Sequence, residues 1–96
     1  MATYMVLWKW TEQGAKAVNE TVARADAVKS DIQSRGGKVT EFRWSLGQWD
    51  GFLVAEVEND QVLTATLLKV AGDGNVKTQA LRAFDEQEMR QILKTV

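Results

Sequence analysis

The first ten residues alternate in polarity as a strand does. Tyr4, Val6, Trp8 and Trp10 share one parity, Met5 and Leu7 the other, and Lys9 interrupts the second set. Thr11 then offers a helix N-cap or a turn. From residue 12 to residue 35 the period lengthens. Val18, Val22, Ala25, Val28 and Ile32 recur at three or four residues, the stripe of an amphipathic helix. Gly36-Gly37 stops that run, because glycine reaches the left-handed conformation that closes helices.

Period two returns over residues 38–46. Thr40, Phe42, Trp44 and Leu46 fall on one face, Glu41, Arg43 and Ser45 on the other, and Val39 stands at the start. Gly47-Gln48-Trp49-Asp50-Gly51 is a glycine-bracketed turn, and residues 52–57 form the return strand of an antiparallel hairpin. Asn59 and Asp60 supply caps for a shorter helix with Leu63, Leu67 and Val70 on one stripe, and Gly72-Asp73-Gly74-Asn75 ends it. Residues 76–84 read as a fourth strand, polar at Lys77, Gln79 and Arg82. Asp85-Glu86-Gln87-Glu88 has the form of a capping box and opens a last helix through Met89, Ile92, Leu93 and Val96.

Strand–helix–strand–strand–helix–strand is the order of the ferredoxin-like split β-α-β sandwich, an α+β fold on a four-stranded antiparallel sheet, here with an extra C-terminal helix. In that topology the first and third strands are central. They are also the two that are apolar on both parities, whereas the second and fourth carry the charges suited to exposed edges. Two helices cover one face of such a sheet. The other face therefore calls for a second copy of the chain, and a homodimer or larger homo-oligomer is expected.

Composition narrows the chemistry. The chain has 96 residues, fits one domain over 1–96, and contains no Cys, no His and no Pro. Without Cys there is no disulfide framework, thiol nucleophile or thiolate-ligated metal. Without His the commonest general base and the usual imidazole ligand are missing, and no ordinary Ser-His-Asp triad can form. No cluster of Asp and Glu has a recognised metal-binding spacing, so neither metal nor cofactor is expected. A formal charge of −1 gives no footprint for nucleic acid or an anionic membrane. Met1–Trp8 has neither the basic region nor the apolar core of a signal peptide, and no window is apolar enough to span a bilayer, so a cytoplasmic protein is expected. Gly72-Asp73-Gly74-Asn75 precedes a strand, not a helix, and so is no phosphate-cradling loop.

Three groups of residues could carry function. Four Trp against one Tyr is the compositional excess, and Tyr4, Trp8, Trp10 and Trp44 could line a flat cavity for an organic ligand, or simply pack a core or interface. In the hairpin turn, Trp49 could lid such a pocket and Asp50 could act as base or polar anchor; alternatively Asp50 bonds turn amides and Trp49 covers a contact. On the strands, Arg82 could hold a carboxylate or phosphate, or join Glu41, Arg43, Glu56 and Thr78 in cross-strand pairing.

Several segments together resemble the GYD-domain family: the opening Ala2-Thr3-Tyr4-Met5-Val6-Leu7 with Lys9-Trp10-Thr11-Glu12-Gln13-Gly14; Gly36-Gly37-Lys38-Val39; Trp44-Ser45-Leu46-Gly47-Gln48-Trp49-Asp50; and Gly74-Asn75-Val76-Lys77-Thr78 with Leu81-Arg82-Ala83-Phe84. The resemblance runs the length of the chain. It implies a dimeric α+β barrel protein of a family whose biochemical function is not established, with relatives in the wider group that include cofactor-independent monooxygenases, isomerases and ligand-sensing domains. Fold does not carry function across them. Two positions depart from the family pattern. Trp49 stands where Tyr is usual, which removes a hydroxyl and leaves only an indole donor. Val22 follows Thr21 where a Thr-Pro pair often opens the main helix, so residues 12–35 form one helix, or Thr21 caps a second segment.

The combined expectation is a homo-oligomer that binds a small organic ligand in a pocket lined by Tyr4, Trp8, Trp44 and Trp49, with Asp50 and Arg82 orienting its polar group. A cofactor-free oxygenase or isomerase in the same cavity is the alternative. There Asp50 or Tyr4 would have to manage protons. The third reading is an assembly or regulatory module with no pocket.

Overall fold

The computed structural model describes all 96 residues. Four strands, β1 (Ala2–Trp10), β2 (Lys38–Trp44), β3 (Gly51–Val57) and β4 (Val76–Ala83), form one antiparallel sheet in the order β2-β3-β1-β4. β1 and β3 are the central strands, as their two-sided apolar pattern requires. Helices α1 (Glu12–Lys16), α2 (Thr21–Ser34), α3 (Asp60–Asp73) and α4 (Glu86–Leu93) complete the ferredoxin-like arrangement.

Alternation in β1 and β3 sets the two faces. Tyr4, Val6 and Trp8 with Leu53, Ala55 and Val57 are buried beneath α2 and α3, where Ile32 and Leu63 meet them. Ile32, Val6 and Val57 are the largest apolar side chains to be wholly enclosed. Each contributes about 1.5–3 kcal/mol by leaving water. The opposite face carries Met5, Leu7, Phe52 and Val54, all half-buried, and exposed Leu81, and no helix covers it.

The long helical run over residues 12–35 is broken. Thr11 caps α1 by accepting from the Gly14 N–H at 3.1 Å, and a single 3-10 turn, Val18–Glu20, leads into α2. Thr21 is already helical as the first residue of α2, the cap position falls on Glu20, which makes no side-chain cap bond, and the Thr21 hydroxyl accepts from Trp44. Val18 and Val22 consequently stand exposed, while Ala25 and Ile32 keep the buried stripe. Gly14 marks a close approach: a Cβ there would lie 1.9 Å from the Asn75 carbonyl oxygen. The Thr11 N–H donates to that same oxygen at 3.0 Å, which ties α1 to the head of β4.

β2 also departs from strict alternation. A register shift between Val39 and Glu41 puts Val39 and Phe42 on the core face together, three residues apart. A bulge turns two residues against one, so Thr40 is released from the face of Phe42 and Trp44. Leu46 lies beyond the strand and is fully exposed. At the far end of the chain the capping box forms as its spacing predicts, Asp85 accepting from Glu88 N–H and Glu88 from Asp85 N–H. The Met89, Ile92 and Leu93 stripe of α4 remains solvent-exposed, as does Val96, which lies beyond the helix end at Leu93.

Candidate functional site

Between the sheet and the α2–α3 pair lies a cavity of about 150 Å³. Its walls are mainly apolar: Val6 and Trp8 from β1, Phe42 from β2, Leu53 from β3, Val28 from α2 and Leu67 from α3. Trp8 reaches this place because its partner across the ladder is Gly51, over which the indole lies. Phe42 and Trp44 pack on the same ring at centroid distances of 6.1 and 6.2 Å, Trp44 edge-on. The Trp44 indole N–H donates to the Thr21 hydroxyl at 3.0 Å, which joins the end of β2 to the start of α2. The indole nitrogens of Trp8 and Trp10 are shielded from water and have no partner. Each is a donor only, and an unmet buried donor costs about 1–3 kcal/mol.

The polar part of the lining comes from the helices. Asp31 on α2 accepts from buried Thr66 on α3 at 2.8 Å and from Arg35 at 2.9 Å, with Lys69 at 3.4 Å. The Arg35 bond, assisted by Thr66 and Lys69, holds the Asp31 carboxyl below the usual range against the opposing effect of burial. Arg24 behaves differently. Its Nη2 donates to the carbonyls of Gly14 at 3.3 Å and Ala17 at 3.1 Å, and no carboxylate pairs with it.

The six residues singled out from the sequence fall in three places. Trp8 lines the cavity, and Trp44 packs against it from the side. Trp49 and Asp50 sit at the hairpin turn. There the Lys9 ammonium lies 5.1 Å from the Trp49 ring, and Asp50 accepts from the Trp10 N–H at 2.9 Å while its own N–H donates to the Trp8 carbonyl at 2.9 Å. Tyr4 and Arg82 form a third group. The Tyr4 hydroxyl donates to Asp60 at the start of α3, and this bond, together with burial, raises the phenol above its ordinary value. Arg82 lies 5.7 Å from the Tyr4 ring and 4.6 Å from Phe84, and bonds Glu88 at 3.3 Å, so it links the sheet to α4. On the uncovered face, Glu41 pairs with Arg43 at 3.0 Å along β2, and Glu56 pairs across strands with Lys38 at 3.5 Å.

Arg24, Asp31 and Thr66 went unmarked in the sequence, although a signal was present. Arg24 and Asp31 flank Val28 by four and three residues, and Thr66 lies three after Leu63 and four before Val70. Polar residues at stripe positions of amphipathic helices are where a buried polar site is to be sought.

No group of three or more His, Cys, Asp or Glu side chains converges to hold a metal ion, and no helix is long and apolar enough to cross a membrane. The model of the GYD domain matches residues 4–93. The chain belongs to the GYD-domain family. This GYD protein is 27% identical over 95 residues to the "Glutamine synthetase and cystathionine beta-lyase binding protein" of Thermus thermophilus, a match spanning 98% of this chain and 100% of that one. Its fold is similar to that in a crystal structure of a Thermus thermophilus protein, with a TM-score of 0.55 at 20% identity over 88% of this chain and 95% of that one. Trp49 of this GYD protein occupies the turn position where the family resemblance leads one to expect Tyr.

Proposed function

We propose that this chain is a binding protein which holds a small organic ligand in the cavity between the sheet and helices α2 and α3. The cavity itself carries the proposal: about 150 Å³, walled by Trp8, Phe42 and aliphatic side chains, is room for a molecule of roughly benzene size. A binding role agrees with the name of the Thermus thermophilus relative, a protein named for binding two enzymes. Binding is favoured over catalysis because the two groups an enzyme would need for proton transfer are engaged elsewhere. Asp50 accepts the Trp10 amide, and the Tyr4 hydroxyl is held by Asp60.

In this reading the protein works as a homo-oligomer. Met5, Leu7, Phe52, Val54 and Leu81 form an apolar field on the helix-free face, and a second copy would cover it. The same field favours a second reading, in which the occupant is another protein, as the relative's name says of that protein. The ligand reading is tested by titrating Trp fluorescence with toluene. Saturable quenching in the native protein, lost in Val28→Phe, is the expected result. An unsaturable response identical in both proteins would overturn it.

A further inference from the structure

We propose that the ligand is a monocarboxylate whose apolar body fills the cavity and whose carboxylate is taken by Arg24. The inference rests on the ligand reading given above and adds the charge of the ligand. Arg24 lines the cavity, is half-buried, and is the sheltered cation there without an acid partner. Lys69, the other cation of the lining, is already on Asp31, and Asp31 is further met by Arg35 and Thr66. Asp73 faces the same opening but is solvent-exposed and forms no ion pair. Its charge is therefore largely screened by water.

A partly desolvated guanidinium gains most from an anion that completes its donor set. Backbone carbonyls occupy Nη2, the nitrogen common to both guanidinium forks, and Nε and Nη1, which point to opposite sides, each keep an N–H for a single charge-assisted bond to a carboxylate oxygen. Those two bonds to Gly14 and Ala17 also fix the guanidinium against α1, and a fixed guanidinium loses less entropy on binding. The rest of the wall is mainly apolar, its remaining cation Lys69 is already paired with Asp31, and the volume limits the body of the ligand to a single ring or a short branched chain.

Isothermal titration of the whole protein with benzoate and with benzamide, a near-isostere without the charge, tests this. Benzoate is expected to bind at least tenfold more tightly than benzamide at pH 7. Arg24→Gln should bring the two within about twofold of each other, by weakening benzoate alone. Because Arg24 also holds α1, Arg24→Lys serves as the second variant; it keeps the charge without the anchored guanidinium, and its benzoate affinity should lie between those of the native protein and Arg24→Gln. Benzamide binding as tightly as benzoate, or a benzoate affinity unmoved in both variants, would overturn the carboxylate assignment while leaving the cavity a ligand site. Failure of both compounds to bind would overturn the ligand reading itself, and this proposal with it.

Discussion

Gly51 lies directly beneath the indole of Trp8, so closely that a Cβ on Gly51 would stand 2.0 Å from Trp8 Cζ2. The two are paired across β1 and β3, and the missing side chain is what lets the ring occupy the space above Gly51 and form one wall of the cavity. Gly51→Ala should force the ring off its position. An overpacking cost of about 2–3 kcal/mol is expected, read as a lower urea midpoint together with a changed near-ultraviolet circular dichroism signal from Trp. An unchanged midpoint would show that the indole has free space to move.

Asp31 joins the two helices over the cavity, and its carboxyl is held below the ordinary range by Arg35. A group whose folded pKa is depressed stabilises the protein above its unfolded value of about 4, and the contribution disappears as pH falls through the folded value. Asp31→Asn should therefore lower stability by about 1–3 kcal/mol at pH 7 and flatten the fall of stability below pH ~4. Urea unfolding at a series of acid pH values measures both. Parallel acid limbs in the two proteins would count against the assignment.

Tyr4 has the opposite sign. Its hydrogen bond to Asp60 favours the neutral phenol, so its folded pKa lies above the unfolded value of about 10. The associated stability is complete below that value and is lost as pH rises through the folded one. Tyr4→Phe should cost about 1 kcal/mol near neutrality and remove the alkaline decline. Phenol absorbance in the near ultraviolet, which should titrate late in the native protein and at about 10 after unfolding in urea, checks it independently.

Leu7 and Val54 lie at the centre of the helix-free sheet face, on the two central strands. Leu7→Lys should shift the protein toward monomer in sedimentation equilibrium, and the ligand response of the cavity on the other face should persist. A native protein that is already monomeric at the concentrations of that measurement would contradict the self-association reading.

Where the fold was legible in the residues, local pattern and tertiary position agreed. The two-sided apolar sequence of β1 and β3 identified them as central strands, and Asp85 with Glu88 announced the cap of α4. Pattern misled where a local signal was overridden. The stripe through Val18 and Val22 continues the helical period, yet a 3-10 turn intervenes and both side chains face water. Thr21, a natural cap, lies one residue inside the helix instead, and its hydroxyl accepts from Trp44, a residue 23 positions away that no local window contains. The bulge at Val39–Glu41 likewise reassigns Thr40 without any glycine to mark it. For the site, the Trp excess pointed at Trp8 but equally at Trp49, because composition carries no information on which side of a ladder a turn residue falls. Arg24, Asp31 and Thr66 were concealed by being ordinary polar residues; only their juxtaposition across α2 and α3 sets them apart.

Native mass spectrometry of protein purified without denaturation bears most directly on the central claim, that this is an oligomeric carrier of a small ligand in the inter-layer cavity. It reports subunit number and any retained molecule together. The expected result is a multiple of the 10.7 kDa subunit, carrying a small organic molecule that gentle activation releases and that Val28→Phe fails to retain. A bare monomer that takes up neither benzoate nor toluene on addition would contradict it.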